Sequence, residues 1–466
     1  MEEEKVSKRQ LILVGIAVLL TGILLIVKPS HSVFQVNKTI NIMDAKVGDF
    51  GSKEFIKNFG GSGWDEFQSA AQTSDGGYIA VGRSNSTDGD LVGLNKGDFD
   101  AIIVKFNSRG DVVWNKNFGG SSSDTFYSVS QTSDGGYIAV GKSNSTNGDL
   151  TNLNKGNYDG IIVKYDSSGN VVWNKNFGGS SPDNFISVQV TLDGGYIAVG
   201  GSSSNNGDLT GLNKGSDDAI IVKYDASGNV IWNKNFGGSG SNDSFNSIVQ
   251  ISDGSYVAAG FAASVDGDLT GLNKGSDDAT IVKYDSSGNL IWNKNFGGSS
   301  YDNFVSVQVT SDGGYIAVGQ SMSTDGDLTG LNKGGVGNDA IIVKYDSSGN
   351  VIWNKNFGGN AAETFTQTSL VSAGGYMVVG TSSSSTGDLT GLNKGYTDGI
   401  FVKYDINGIV EWKNNFGGSS GEYIYGGIVT TDGSFMAVGS SPSTDGDLVG
   451  LNKGQGDAII VKVIVN

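Results

Sequence analysis

Cysteine is absent from the sequence, and histidine and proline are rare, with one and three residues among 466. Without cysteine the chain has no disulfides, no thiolate nucleophile and no zinc–thiolate site. The single histidine is His31, and all of the repeats described below follow it. The repeated part therefore has neither a Ser-His-Asp triad nor an imidazole metal ligand.

Positive charge is also scarce. Lysine and arginine number 31 against 48 aspartates and glutamates, which gives a net charge of −17 at pH 7. Such a surface repels phosphate backbones, so the composition argues against nucleic-acid binding. After residue 52 the only arginines are Arg83 and Arg109, too few for the three-arginine carboxylate clamp of sialidases.

A unit of 59 to 61 residues recurs from residue 53 to the C-terminus. Its best landmark is the tryptophan of a W-N-K-N-F-G-G phrase, at Trp114, Trp173, Trp232, Trp292, Trp353 and Trp412, with Phe55 in the same place in the first copy. A G-D-L triplet occurs seven times, at Asp90, Asp149, Asp208, Asp268, Asp327, Asp388 and Asp447. The first and last copies are incomplete in complementary ways, which indicates a closed ring.

Each unit contains four short runs rich in Val, Ile, Tyr, Phe and Trp, for example 126–133, 136–144, 160–166 and 171–177. Asp134-Gly-Gly and Asp166-Ser-Ser-Gly-Asn separate neighbouring runs, and their glycines can adopt the positive φ of hairpin turns. The run from Ile220 to Tyr224 is apolar on both faces, as expected for a strand between two sheets. Each unit thus predicts four antiparallel strands, A to D.

Seven such units predict an all-β, seven-bladed β-propeller over residues 53–466. We expect the opening segment 53–59 to be strand D of the last blade, whose strands A, B and C are expected at 423–430, 434–441 and 458–465. The N-terminal strand would then close the ring. An open solenoid is the alternative, and the complementary ends argue against it.

An export or anchoring segment precedes the ring. Residues 11–27 are apolar or small, follow Lys5, Lys8 and Arg9, and would span roughly 25 Å as a helix. We expect a cytoplasmic stretch at 1–9, a signal-anchor or transmembrane helix at 10–27 and a spacer at 28–52, with the ring outside the cell membrane. The alternative is cleavage near Ser30-His31-Ser32, which would secrete the ring.

The longest loops, D to A and B to C, emerge on one face of a propeller, so we expect function there. The D-L-x-x-L-N-K-G core of the B-to-C loop hardly changes, whereas the tip of the D-to-A loop and the residues before strand C vary. Aromatic residues at these variable places are candidate stacking platforms for sugar rings: Trp64, Phe99, Tyr158, Tyr301 and Tyr396. The alternative is that these rings cap their own loops.

Two aspartates recur ten residues apart in several copies. With the amides and glycine carbonyls between them they are candidate Ca²⁺ ligands: Asp90 with Asp100, Asp149 with Asp159, Asp208 with Asp218, and Asp268 with Asp278. The spacing differs from that of the EF-hand loop. The alternative is that these aspartates bond to backbone N–H groups and hold the turns. Paired carboxylates can also cleave glycosides, but seven similar pairs single out no catalytic centre.

The pattern W-N-K-N-F-G-G-S-x-x-D, continuing through D-G-G-Y-I-A-V-G and G-D-L-x-x-L-N-K-G, resembles the repeats of uncharacterised bacterial exported and cell-surface β-propeller proteins. The similarity covers essentially all of 53–466. The phrase from Asp166 to Trp173 is similar to a shortened tryptophan-docking motif of quinoprotein-like propellers, with one residue fewer between aspartate and glycine. The resemblance implies the fold and export, and it assigns no activity.

The sequence therefore predicts a binding or scaffolding module of the cell envelope or the extracellular space, without catalysis. A glycan or a protein is the expected ligand, and Ca²⁺ is the only candidate ion. The rival interpretation is a carboxylate-dependent carbohydrate-active enzyme, a hydrolase or a lyase.

Overall fold

The computed structural model describes residues 53–464 except residues 241, 336 and 373. The predicted anchor helix at 10–27 and the spacer at 28–52 lie outside the described residues. Among the residues that are described, no helix has the length and apolar character needed to cross a membrane. The described chain consists of short β-strands with a single 3₁₀ turn in each blade.

The strands are numbered in chain order. The closing strand is β1 (Lys53–Phe59), and the first three blades contain β2 (Asp65–Gln72), β3 (Tyr78–Ser84), β4 (Asp100–Phe106) and β5 (Val112–Phe118); β6 (Asp124–Gln131), β7 (Tyr137–Ser143), β8 (Asp159–Tyr165) and β9 (Val171–Phe177); β10 (Asp183–Val190), β11 (Tyr196–Ser202), β12 (Asp218–Tyr224) and β13 (Val230–Phe236). Blades 4 and 5 contain β14 (Ser244–Gln250), β15 (Tyr256–Ala262), β16 (Asp278–Tyr284) and β17 (Leu290–Phe296); β18 (Asp302–Val309), β19 (Tyr315–Ser321), β20 (Asp339–Tyr345) and β21 (Val351–Phe357). Blades 6 and 7 contain β22 (Glu363–Leu370), β23 (Tyr376–Ser382), β24 (Asp398–Tyr404) and β25 (Val410–Phe416); β26 (Tyr423–Val429), β27 (Phe435–Ser441) and β28 (Asp457–Val463).

These strands form seven four-stranded antiparallel sheets, which confirms the predicted seven-bladed propeller. Strand A of each blade contacts strand A of the next blade, and β26 contacts β2, so the A strands surround the central axis. The predicted strands of the second unit agree with β6 to β9 within two residues at each end. Each G-D-L triplet forms a 3₁₀ turn, for example Gly148–Leu150, whose leucine is buried.

The last blade is completed by the N-terminal strand, as predicted. β1 pairs antiparallel with β28, and Phe59 lies opposite Ala458. Phe59 is 1% exposed, and its ring lies 5.7 Å from that of Phe67 in blade 1. The closing strand thus contributes to the core between blades 7 and 1 as well as to the sheet of blade 7.

The hydrophobic core lies between neighbouring blades. Strand C is buried on both faces, since Ile220 packs toward blade 2 and Ile221 toward blade 4. Five of the repeated tryptophans, Trp114, Trp173, Trp232, Trp292 and Trp353, pack against a glycine in the C-to-D turn of the next blade. A Cβ on Gly169, for example, would come within 2.8 Å of the Trp114 ring. Gly169 has φ +78°, which the C-to-D turn requires. The tryptophan therefore joins one blade to the C-to-D turn of the next.

Candidate functional site

The loop face is the face that carries the D-to-A and B-to-C loops. In blade 2, Asp124 holds both loops: its Oδ2 accepts hydrogen bonds from Gly120 N and Ser145 Oγ, each at 2.8 Å, and its Oδ1 accepts one from Ser143 Oγ. Asp124 is fully buried at the start of strand A. An acid occupies the same place in every blade, with Glu363 and Glu422 in blades 6 and 7. This acid is part of the scaffold of the loop face.

The G-D-L aspartate joins each blade to the preceding one. Asp149 Oδ2 accepts hydrogen bonds from Gly119 N at 3.0 Å and from Lys96 Nζ at 2.5 Å, and both donors belong to the junction with blade 1. The equivalent ion pairs are Lys155–Asp208, Lys214–Asp268, Lys274–Asp327, Lys333–Asp388, Lys394–Asp447 and Lys453–Asp90. The last of these spans the point of ring closure, so the lysine of the N-K-G phrase and the G-D-L aspartate form a continuous set of inter-blade contacts.

The aspartate that opens strand C has one oxygen with no partner. Asp100 Oδ2 accepts hydrogen bonds from Lys96 N at 2.5 Å and Asn117 Nδ2 at 2.6 Å, whereas its Oδ1 is buried without a hydrogen bond. The same unpaired oxygen occurs in five more blades, at Asp159, Asp218, Asp278, Asp398 and Asp457. An unpaired buried acceptor is costly, so each of these six blades places one unsatisfied oxygen at a blade junction.

Burial raises the pKa of both junction acids. Desolvation raises the pKa of Asp124 to about 6, against three stabilising hydrogen bonds and with a further contribution from Asp100. Desolvation also raises the pKa of Asp100, and the hydrogen bonds from Lys96 N and Asn117 only partly offset it. The pKa of the equivalent acid is raised in every other blade.

The aspartates proposed as Ca²⁺ ligands are divided between two junctions. Asp90 Oδ2 accepts hydrogen bonds from Gly60 N and Lys453 Nζ at the junction of blades 7 and 1. Asp100 lies at the next junction, where Lys96 donates its backbone N–H to Asp100 and its ammonium group to Asp149. Within the described part of the ring, no three acidic or histidine side chains are grouped closely enough to hold a metal ion. The hydrogen bonds match the turn-holding alternative, and Ca²⁺ binding stays a prediction.

Two of the five candidate aromatic residues are connected to each other through Glu66 and Arg83 of blade 1. Trp64 Nε1 donates a hydrogen bond to Glu66 Oε2 at 3.1 Å, and Arg83 Nε lies 2.8 Å from Glu66 Oε1. The Arg83 guanidinium lies 4.6 Å from the centre of the Phe99 ring, within cation–π range. We call Trp64, Glu66, Arg83 and Phe99 the arginine cluster. Trp64 and Phe99 are half-buried, so part of each ring remains accessible to a ligand.

The other three candidates are arranged separately. Tyr158 lies under Lys142, whose Nζ is 4.8 Å from the ring centre. The Tyr301 ring lies 6.2 Å from that of Phe261 in the preceding blade, and desolvation raises its pKa. Tyr396 is 76% exposed on its B-to-C loop. The structure therefore joins Trp64 with Phe99 and leaves Tyr158, Tyr301 and Tyr396 at distinct positions.

The sequence analysis did not identify the charged residues that lie beside the candidate aromatic rings. Glu66 is the second residue of strand A, and Arg83 and Lys142 are the sixth residue of strand B. The sixth residue of strand B differs in every copy, being Gly201, Phe261, Gln320, Thr381 and Ser440 in the other blades. Comparison of the copies along the strands, and not only in the loops, would have found these positions.

The central channel continues inward from the arginine cluster. Gln68 Nε2 donates to Glu66 Oε1 at 2.7 Å, and Gln68 also lines a channel cavity of about 360 Å³. The described lining residues include Tyr127, Asn246, Gln367 and Tyr425, and none of them is charged. Burial, with Glu66 nearby, raises the pKa of Tyr425 to about 12, so its hydroxyl stays neutral at physiological pH. The channel thus offers uncharged donors and acceptors.

Three solved structures match most of this chain at low sequence identity. YCF48 bound to D1 peptide is 8% identical, with a TM-score of 0.46 and 90% of this chain and 99% of that chain covered. Sqt1 from Chaetomium thermophilum is 10% identical, with a TM-score of 0.40 and coverage of 88% and 100%. A protein of unknown function from Bacteroides caccae is 13% identical, with a TM-score of 0.38 and coverage of 69% and 92%.

One curated relative and one family model match parts of this chain. The regulatory protein FlaEY of Caulobacter vibrioides is 26% identical over 193 residues, which cover 39% of this chain and 20% of that protein. This chain therefore matches about a fifth of the length of that relative. The model of the family described as outer membrane protein assembly factor BamB matches residues 158–336 and 217–399. Because these overlapping matches span just over half of the chain and fall on its repeats, the chain belongs to that family.

Proposed function

We propose that the propeller is a binding or scaffolding module of the cell envelope that presents its loop face to a ligand and catalyses no reaction. The observation that carries this proposal is the division of the loop face into constant and variable residues. The aspartates, the lysine and the glycines that hold the loops are repeated around the ring, whereas the residues of the arginine cluster occur once. A repeated scaffold with one distinct cluster suits selective binding.

The chemistry of the loop face fits an uncharged glycan best, with a protein as the other partner. Half-buried aromatic rings at Trp64 and Phe99 provide faces for the C–H groups of a sugar. The uncharged channel next to them provides amide and hydroxyl groups for sugar hydroxyls. Arg83 is already paired with Glu66, so the cluster as a whole does not require an anionic ligand.

An envelope location rests on two further points. The apolar run at 11–27, with positive charges ahead of it, suits a single membrane-spanning anchor with the ring outside, and secretion after cleavage is the alternative. The family is described as an outer membrane protein assembly factor, and an assembly factor acts by binding other molecules. Both points favour a module that works at the envelope.

Catalysis by a carboxylate pair is the rival function. A glycosidase needs one carboxylic acid and one carboxylate on either side of the scissile bond. The raised pKa of Asp124 suits an acid, but the carboxylate of Asp124 is fully buried and accepts hydrogen bonds from Gly120, Ser143 and Ser145. The acids of the other blades are held in a similar way, which favours a structural role for all of them.

A glycan array paired with a turnover assay on the same polymers tests the proposal. We expect the full-length protein to bind a subset of neutral glycans and to release no reducing ends. A double variant, Trp64→Ala with Phe99→Ala, should lose at least tenfold in affinity. Leu192→Ala is the matched control, because Leu192 is 73% exposed in an A-to-B turn on the opposite face.

The outcomes separate the possibilities. Full retention of binding by the double variant, with melting temperatures equal to that of the parent, would place the ligand away from these rings. Release of reducing ends that is abolished by Asp124→Asn would support the enzyme instead. Binding of proteins but of no glycan would leave the loop face as a protein-binding surface.

A further inference from the structure

The face opposite the loop face repeats one arrangement in five blades. We call it the turn face, since the A-to-B and C-to-D turns form it. In blade 2, Asp134 in the A-to-B turn pairs with Lys164 of strand C at 2.9 Å, and the lysine side chain is 6% exposed. The equivalent pairs are Lys105–Asp75, Lys223–Asp193, Lys344–Asp312 and Lys462–Asp432. Each of these turns is therefore polar and carries an ionised aspartate.

Blade 6 departs from this arrangement in sequence. Val371 stands where five copies have threonine, and Ala373 stands where the other six have aspartate. In the C-to-D turn, Ile406 replaces serine or alanine and Ile409 replaces asparagine or aspartate. Glu411 replaces the valine or isoleucine of strand D. Four of these five changes make the turns more apolar in an otherwise near-identical repeat.

The fifth change compensates for the lost aspartate. Lys403 of blade 6 is the counterpart of Lys164, and it pairs with Glu411 Oε2 at 3.1 Å. Its side chain is 24% exposed, compared with 3–6% for the lysines paired with turn aspartates. The carboxylate has thus moved from the A-to-B turn to strand D. The ammonium keeps a partner, and the turn is left without a carboxylate of its own.

The altered turns line a cavity of about 470 Å³ at the junction of blades 5, 6 and 7. Its described lining includes Leu370, Val371, Ile406 and Val429. Leu370 is 38% exposed and Ile406 is 56% exposed, so apolar surface faces solvent. The volume lies within the roughly 300–1,000 Å³ that is usual for ligand sites and exceeds the size of one side chain. Exposed apolar surface at such a site indicates a partner.

The charge at the rim of this cavity indicates the charge of the partner. Asp312 of blade 5 lines the same cavity, and its side chain is 51% exposed despite its pairing with buried Lys344. The chain as a whole carries a net charge of −17. A cationic group next to an apolar anchor is complementary to this rim, whereas anionic lipid headgroups are repelled by it.

We infer that the blade 6 cavity is a docking site for a short peptide segment of a protein partner, with a leucine- or phenylalanine-sized anchor beside a lysine or arginine. The anchor lies against Leu370, Val371 and Ile406, and the cationic residue lies next to Asp312. The site is on the turn face, so it is independent of the ligand proposed for the loop face.

Fluorescence anisotropy with labelled peptides tests this inference on the full-length protein. The probe is a capped Lys-Leu-Leu-Phe-Lys peptide, which we expect to bind with a stoichiometry of one. Its controls are Glu-Leu-Leu-Phe-Glu, which reverses the charge, and Lys-Ser-Ser-Ser-Lys, which removes the anchor. Both controls should bind at least tenfold more weakly. Equal binding by either control, or no binding by the probe, would overturn the inference.

The chain itself supplies matched variants. Val371→Thr, Ala373→Asp, Ile406→Ser and Glu411→Ile together give blade 6 the residues of blade 5 at four of the five altered positions, and this variant should fold and lose the probe. The reverse set in blade 2, Gln131→Leu, Thr132→Val, Asp134→Ala, Ser167→Ile and Val172→Glu, should raise the stoichiometry to two. Undiminished binding by the first variant would contradict the site. Recruitment to phosphatidylglycerol vesicles that depends on the same four residues would replace the peptide by a membrane.

Discussion

At the scale of single residues, the unpaired oxygen of Asp100 is expected to lower the stability of the propeller. Its Oδ1 is buried without a donor, while Oδ2 already serves Lys96 N and Asn117 Nδ2. Asp100→Asn can keep the Oδ2 contacts through the amide oxygen, and it removes the charge of a carboxylate whose pKa is raised by burial. We therefore expect Asp100→Asn, with the same change at Asp159, Asp218 and Asp278, to stabilise the protein at neutral pH, by about 1 kcal/mol per site.

Chemical denaturation at pH 7.5 measures this effect, and Asp124→Asn is its control. Asp124 accepts hydrogen bonds from Gly120, Ser143 and Ser145, so an amide in its place loses acceptors and should destabilise by about 1–3 kcal/mol. A destabilised Asp100→Asn variant would mean that the free oxygen has a partner such as a cation. A higher melting temperature of the parent in millimolar Ca²⁺ would then support the calcium prediction.

Gly169 has two separate reasons to be glycine, and a pair of variants distinguishes them. Its φ is +78°, and a Cβ there would lie 2.8 Å from the Trp114 ring. Gly135 has φ +81° with open space around its Cβ position. Gly135→Ala should cost about 1 kcal/mol through backbone strain alone, and Gly169→Ala should cost clearly more. Equal losses in thermal unfolding would show that Trp114 moves aside without cost.

At the scale of elements, the closing strand is expected to control the stability of the ring. Removal of residues 1–59 would expose the edge of β28 and the Phe67 ring that Phe59 covers. We expect a lower melting temperature and aggregation on gel filtration. Removal of residues 1–52 is the matched control, since it leaves β1 in place. Equal melting temperatures for the two truncations would contradict closure by β1.

The elements were predictable from sequence where the repeat itself carries the information. The repeat period predicted the number of blades. The complementary incomplete copies at the two ends predicted the pairing of β1 with β28, because the last copy lacks a strand D of its own. The contact of Trp64, Glu66 and Arg83 was not predictable in this way, since it joins a loop, strand A and strand B through side chains that occur once. The pairing of Asp149 with Lys96 was missed because it crosses between copies.

At the scale of the whole molecule, the junction acids give stability a characteristic dependence on pH. Their pKa values are raised in the folded state, so the stability that they contribute is present below about pH 4 and lost as the pH rises through the raised pKa, which for Asp124 is about 6. The turn-face aspartates act in the opposite sense. Hydrogen bonds from Thr73 and Thr132, with the neighbouring lysines, lower the pKa values of Asp75 and Asp134 to about 2.

The two sets together predict a maximum of stability in mild acid. The turn-face aspartates contribute above about pH 4 and lose their contribution as the pH falls toward 2, whereas the junction acids lose theirs as the pH rises above about 4. We expect the melting temperature to peak near pH 4–5 and to fall on both sides. Melting curves from pH 2.5 to 8 measure this profile. A melting temperature that rises steadily up to pH 7 would show that the junction acids are not destabilising when ionised.

Closure of the ring within a blade also determines the order of events during synthesis. β1 leaves the ribosome before every other strand of the ring, but its partner β28 is the last strand to be made. Hairpins within each blade involve near neighbours in sequence and form quickly, whereas the ladder between β1 and β28 joins nearly the full length of the ring. Strand β1 therefore remains unpaired until the rest of the ring has been translated, and its free edge is exposed to aggregation throughout that interval.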